Sequence, residues 1–222
     1  MSCCWGDINA DNKLLWPQNY LQLENTILDM ELEIYNPQND DLEYKRMSDH
    51  RWKRVVLLFY PADFTFVCPT ELKDLNNKKD ELLNLWVEAM TVSTDTSFSL
   101  KKCIETEKLL EGFSLPMISD RNQKLSKLLW VLNHDTGNAE RWTFIISSEW
   151  VIKSIEIVTE PIWRSSTEML RKIKALDYVR QNPGIACPAS RDGDGKTLKP
   201  SIKMSWNVAI KLQSFFIICF IK

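Results

Sequence analysis

Cys68 stands where an apolar run gives way to a helix-starting sequence, and the residues around it mark it as a candidate nucleophile. The stretch from Phe59 to Leu72 reads FYPADFTFVCPTEL. Pro69 suits the first turn of a helix, Thr65 offers a hydroxyl acceptor, and Glu71 with Asp74 puts negative charge near the positive end of the helix dipole. Unpaired backbone N–H groups at such a terminus favour thiolate over thiol, and the thiolate is the attacking species. Cysteine hydrolysis needs a histidine base. Only His50 and His134 are available, and neither lies in a recognisable partner motif.

The elements that must position this cysteine are legible from hydrophobic patterning. Val55 to Tyr60 has the length and composition of a buried strand, which Pro61 and Asp63 then break. Downstream, the pattern predicts a helix over Glu71–Leu85, a strand over Val87–Ser93, a helix over Phe98–Leu110, a short strand over Met117–Ser119 and a helical turn over Lys124–Leu129. Strands at Thr143–Ile146 and Val151–Ile157 flank Ser147–Trp150 as a hairpin. Thr167–Arg180 reads as an amphipathic helix with Leu170, Ile173, Leu176 and Val179 along one face. This alternation predicts an α/β, thioredoxin-like fold: a central mixed sheet flanked by helices, with a C-terminal arm. The expected organisation is an N-terminal extension over 1–30 with no assigned role, a domain over 31–182, and an arm over 183–222 that carries Cys187 and an apolar tail at 215–221.

Composition narrows the class further. A chain of 222 residues, 44% hydrophobic, supports one sizeable core. Its 28 basic and 30 acidic residues are interspersed and sum to a net charge of −2, which gives no reason to expect nucleic acid or an anionic membrane as partner. The N-terminus shows no secretory pattern and no apolar run reaches the roughly 18 residues of a membrane span, so a cytoplasmic protein is expected. Six cysteines without a C-x-x-C spacing fit a reducing compartment. Cys103 is expected in the core, Cys3 and Cys4 lack metal-ligand spacing, and Cys219 belongs to the apolar tail.

Three blocks carry a resemblance to the peroxiredoxins. Pro61-x-x-x-Thr65-x-x-Cys68 is similar to the peroxidatic motif of that family, in the version of the typical two-cysteine, alkyl hydroperoxide reductase C-subunit group. Arg141-Trp142-Thr143-Phe144-Ile145-Ile146 resembles the strand whose arginine faces the peroxidatic cysteine, and Ile185-Ala186-Cys187-Pro188-Ala189 resembles the segment with the resolving cysteine. The resemblance runs from about Leu32 to about Ser201.

The resemblance implies a thiol peroxidase acting in antioxidant defence and redox homeostasis. Cys68 would attack the terminal oxygen of hydrogen peroxide or an organic hydroperoxide and become a sulfenic acid. Thr65, Arg141 and the Cys68 backbone N–H would stabilise charge on the leaving oxygen, and Pro61 would shield the pocket. Arginine suits this place because it stays charged and presents a rigid donor fork. Glu71 and Arg164 match supporting positions. Cys187 of a partner subunit would close an intersubunit disulfide, reduced in turn by thioredoxin or a flavoprotein disulfide reductase. A homodimer, alone or in a ring of dimers, is implied, with no cofactor and no metal. Two other readings stay open: a non-enzymic ring-forming holdase or scaffold, and a thioredoxin-type dithiol oxidoreductase. The second is opposed by the lack of a cysteine three residues from Cys68.

Tryptophan usage is anomalous. The chain has nine Trp and six Gly, whereas average usage predicts roughly 15 Gly. Trp52 precedes the first apolar strand, Trp86 lies between a helix end and a strand, and Trp150 lies in the hairpin turn, all places where the backbone favours glycine. Trp130, Trp142 and Trp163 also occupy positions where the family carries glycine or a small residue. UGA codons written as tryptophan but translated as glycine would account for the exchange. Trp52, Trp86 and Trp150 are accordingly expected at turns or element ends and largely exposed, with Trp142 inside the sheet.

Overall fold

The computed structural model describes residues 23–159, 162–188 and 197–202. Cys3, Cys4, most of the 1–30 extension and the 215–221 tail with Cys219 lie outside the described residues. Two compact units divide the chain, Met1–Arg164 and Ser165–Lys222.

The first unit is built on seven strands: β1 (Glu31–Asn36), β2 (Asp41–Arg46), β3 (Arg54–Phe59), β4 (Val87–Ser93), β5 (Met117–Ser119), β6 (Trp142–Ile146) and β7 (Ile152–Ile157). They form one mixed sheet in the order β2-β1-β5-β4-β3-β6-β7. β3, β4 and β5 pair in parallel, and the remaining pairs are antiparallel. Helices α1 (Cys68–Asn77) and α2 (Lys79–Asn84) connect β3 to β4, α3 (Ser97–Thr106) connects β4 to β5, and α4 (Lys124–Leu128) precedes β6. The continuous apolar run of β3 is explained by burial on both of its faces. Val55, Leu57 and Phe59 join a core cluster with Met90, Phe144 and Leu125, while Val56, Leu58 and Tyr60 are equally buried.

β1 and β2 escape the sequence reading. Their sequences, ELEIYN and DLEYKR, carry charge at alternate positions because only part of this pair faces the core: Leu32 and Ile34 are buried, whereas every residue of β2 is at least partly exposed. The helix predicted over Glu71–Leu85 is two helices that break at Lys78. Asn76, a weak helix former, turns its side chain away to accept the Ser114 N–H at 2.9 Å. The helix predicted over Phe98–Leu110 likewise stops at Thr106. There Glu107 accepts the Leu109 N–H at 3.0 Å and opens a separate 3-10 turn over Lys108–Leu110. At its start, Thr96 caps α3 through the Ser99 N–H.

Trp52 and Trp86 are exposed at turn and helix-end positions, as expected. Trp150 is not exposed; it is 7% accessible and belongs to the core cluster. The chain just before β1 covers it. Ile27 N–H donates to the Trp150 carbonyl at 3.0 Å, Thr26 bridges Val151, and the Ile27 side chain enters the same core.

In the second unit, α5 (Ser166–Gln181) is capped by Ser165, which accepts the Glu168 N–H. Leu170 and Ile173 are buried, while Val179 is exposed. Past this helix, Ala186 and Leu198 exchange N–H···O bonds of 2.7 and 2.9 Å and tie the arm on both sides of Cys187 and Pro188. Among the described residues no helix is long and apolar enough to cross a membrane.

Phe144 lies on β6, between β3 and β7, fully buried, with its ring edge-to-face on Phe59 at 5.7 Å. Phe144→Ala is expected to cost about 3–5 kcal/mol in urea unfolding; a loss under about 1 kcal/mol would mean that this core closes around the gap.

Candidate active site

The site is assembled at the C-terminal end of β3. The strand's last N–H contact, Tyr60 to the Val92 carbonyl at 3.0 Å, holds the chain against β4 before Pro61 turns it away. The loop from Pro61 to Val67 follows, and α1 begins at Cys68 with Pro69 as its second residue. Cys68 is 2% exposed and carries no disulfide.

Glu71 lies one helical turn beyond Cys68, so the two side chains share a face of α1. Its carboxylate accepts four hydrogen bonds. Oε1 takes the Arg164 backbone N–H at 3.0 Å and Nε at 2.9 Å; Oε2 takes Arg164 Nη2 at 2.9 Å and Arg141 Nη1 at 2.6 Å. Arg141 then reaches the cysteine, with Nη2 3.5 Å from Cys68 Sγ. Arg164 is held from its other side by the Trp142 carbonyl at 2.8 Å and Thr143 Oγ1 at 3.2 Å. Strand alternation explains this reach: Arg141 and Thr143 point to the site, whereas Trp142 and Phe144 stack on each other on the opposite face at 5.9 Å.

All three charged residues are buried. Burial alone would raise the Glu71 pKa, but Arg164 and then Arg141 outweigh it and hold the carboxyl below its ordinary value. For Arg141 burial opposes the charge, and Cys68 and Glu71 more than compensate, so its pKa lies above the ordinary value. Two guanidinium charges against one carboxylate leave one positive charge uncompensated in the protein interior, directed at Cys68 Sγ.

Cys68, Glu71, Arg141 and Arg164 are thus brought into one hydrogen-bonded group. Pro61 and Arg141 line a groove of about 490 Å³ together with Asn133, Thr136, Asn138 and Thr159. Thr65 does not cap α1 in the way its hydroxyl predicted. It donates to the Ala62 carbonyl at 3.2 Å within its own loop, and the N-cap is Val67, with no side-chain capping bond. Cys187 belongs to the second unit, where its Sγ lies 3.8 Å from the Ala175 carbonyl. Cys103 is buried on α3, and burial pushes its thiol up to about 11, which makes it inert at neutral pH.

Sequence reasoning missed the buried carboxyl within the Pro61–Val67 loop. Asp63 accepts the Tyr60 hydroxyl at 3.0 Å on Oδ1, while its backbone N–H donates to Asp95 Oδ2 at 2.9 Å. Its other oxygen is buried without a hydrogen-bond partner. Burial, and then the Asp95 charge, push Asp63 up to about 6. The signal was present in the sequence as an acidic residue inside the otherwise apolar FYPADFTF run, but its partner Asp95 is set by the fold.

Similarity to known proteins agrees with this geometry. Residues 24–155 match the AhpC/TSA family. Alkyl hydroperoxide reductase C of Amphibacillus xylanus is 45% identical over 155 residues, 70% of this chain and 82% of that protein. Its counterpart in Staphylococcus aureus is 38% identical over 182 residues, 82% of this chain and 96% of that protein. Among solved structures, Enterococcus faecalis AhpC superposes with a TM-score of 0.71 at 32% identity, covering 75% of this chain and 98% of that one. The reduced 2-Cys peroxiredoxin of Plasmodium vivax shares the fold, with a TM-score of 0.79 at 24% identity over 87% of this chain and all of that one.

Two outcomes test the electrostatics. Glu71→Ala strands two buried guanidinium groups and is expected to cost about 3–5 kcal/mol in urea unfolding. For Asp63 the folded state holds its proton more tightly than the unfolded chain does. Its contribution to stability is therefore complete below about pH 4 and is lost as pH rises through about 6. Between pH 4 and pH 7, Asp63→Asn should gain on the order of 2 kcal/mol relative to the parent; a difference that stays flat across that range would show that the buried carboxyl is not strained by ionisation.

Proposed function

The chain belongs to the AhpC/TSA family and is a peroxidase, and on that premise we propose that Cys68 is its nucleophile. The observation that carries this reading is the placement of Arg141 Nη2 at 3.5 Å from Cys68 Sγ, with Glu71 holding the guanidinium from behind and Arg164 in turn holding Glu71.

In the proposed reaction the Cys68 thiolate attacks the terminal oxygen of hydrogen peroxide or a small organic hydroperoxide. An S–O bond forms, the O–O bond breaks, and the leaving oxygen departs as water or an alcohol after taking a proton. Charge builds on that oxygen, and Arg141, the backbone N–H at the start of α1 and the Thr65 hydroxyl are the donors assigned to it. For this the Thr65 hydroxyl exchanges its bond to Ala62 for one to the substrate. Pro61 keeps bulk water from the sulfur. The Cys187 thiol of a second subunit then attacks the sulfenic sulfur, expels water and leaves an intersubunit disulfide. A dithiol protein, thioredoxin or a flavoprotein disulfide reductase, returns both thiols by exchange. A dithiol reaction on Cys68 alone finds no support, since the residue three positions on is Glu71, with its carboxylate committed to the arginines.

Cys68→Ser is expected to abolish peroxide consumption, whereas Cys187→Ser should permit a single oxidation and block turnover with the dithiol reductant. On non-reducing gels, peroxide should convert the parent to a disulfide-linked dimer and neither single variant. A dimer that persists in either variant would mean that other thiols form the bridge.

A further inference from the structure

We infer that Trp52, Trp86, Trp130 and Trp150 are glycine in the native protein, because each lies in a backbone motif built around a glycine. Their φ angles are 76°, 56°, 58° and 66°, in the left-handed region where a bulky side chain is an outlier. The three described glycines, Gly112, Gly137 and Gly184, occupy the same region, with φ between 74° and 82°.

The four motifs are separate and individually identifiable. His50 to Lys53 is a type II turn: Arg51 has φ −56° and ψ 150°, Trp52 follows at positive φ, and Lys53 N–H donates to the His50 carbonyl. That turn requires positive φ at its third residue, hence glycine. Trp130 is the residue beyond the Leu129 C-cap of α4. Its N–H donates to the Lys127 carbonyl and the Val131 N–H to the Ser126 carbonyl, the paired bonds of a Schellman motif. Trp86 holds the same place after α2, with its N–H on the Leu83 carbonyl. In the β6–β7 hairpin, Trp150 N–H donates to the Ser147 carbonyl and Ser147 N–H to the Val151 carbonyl. This is a type I turn closed by a left-handed bulge residue, which is ordinarily glycine.

Side-chain surroundings agree with the backbone. Trp52, Trp86 and Trp130 expose their rings to solvent. Trp150 is buried, and so is the indole Nε1 of Trp142; both nitrogens lack a hydrogen-bond partner, although buried tryptophans ordinarily find one. One cause covers four unrelated turns: UGA, which differs from the glycine codon GGA at a single base, is read as glycine. The same cause then extends to Trp142 and Trp163, the chain neighbours of Arg141 and Arg164.

Peptide mass spectrometry of the protein from its native host should find glycine at 52, 86, 130 and 150; tryptophan at these positions would overturn the inference. A recombinant comparison tests the backbone argument without touching the active site. The triple variant Trp52→Gly/Trp86→Gly/Trp130→Gly removes only exposed rings and should melt roughly 5–10 °C above the chain as written. An unchanged or lower midpoint would show that these turns do not call for glycine. Neither readout depends on peroxidase activity.

Discussion

The Glu71 carboxylate accepts bonds from two buried guanidinium groups and a backbone amide, and the rest of the site is arranged around that saturated acceptor. Three chain segments meet on it: the first turn of α1, the entry to β6 and the residues that lead to Arg164. A carboxylate with every strong acceptor direction filled fixes its donors to within a narrow range of angles, and Arg141 consequently has a single way to face the cysteine. Removing water from such a group costs several kcal/mol per ion, which only a complete hydrogen-bond set offsets. The two cations outnumber the one anion, and Arg141 turns its Nη2 to Cys68 Sγ.

The opposite charge imbalance exists a few residues away. Asp63, inside the Pro61–Val67 loop, accepts the Tyr60 hydroxyl and donates its backbone N–H to Asp95, with no cation among the contacts described. The loop is therefore bounded by an electropositive cluster at its α1 end and an electronegative pair at its β3 end.

Much of this was legible in the chain. β3 to β7 could be read because each carries apolar residues in a strand pattern bounded by turn residues, and Cys68, Glu71 and Arg141 could be read because short motifs carry them. β1 and β2 were hidden by alternating charges that belong to an edge only half covered by core. The break at Lys78 and the early stop at Thr106 depend on side-chain bonds from Asn76 and Glu107 that compete with the helix, one of them to a segment 38 residues away. Asp63 could be seen as an oddity but not interpreted, because its meaning lies in Asp95, which only the fold brings near. Trp150 was misjudged for a similar reason: its exposure depends on the Thr26–Ile27 segment, whose pairing with the hairpin has no local signal.

The way the start of α1 is held bears on how long an oxidised sulfur persists. Val67 supplies no side-chain cap, and a cap of ordinary strength is worth about 1 kcal/mol. Opening the first turn, which holds Cys68 and Glu71, instead means breaking the four bonds that the buried Glu71 carboxylate accepts from Arg141 and Arg164. A second thiol cannot reach a sulfur that is 2% exposed, so condensation must wait for that opening. On the proposed chemistry, uncovering the oxidised sulfur therefore means disturbing that carboxylate, and the ion cluster that positions Cys68 also delays its meeting with a second thiol.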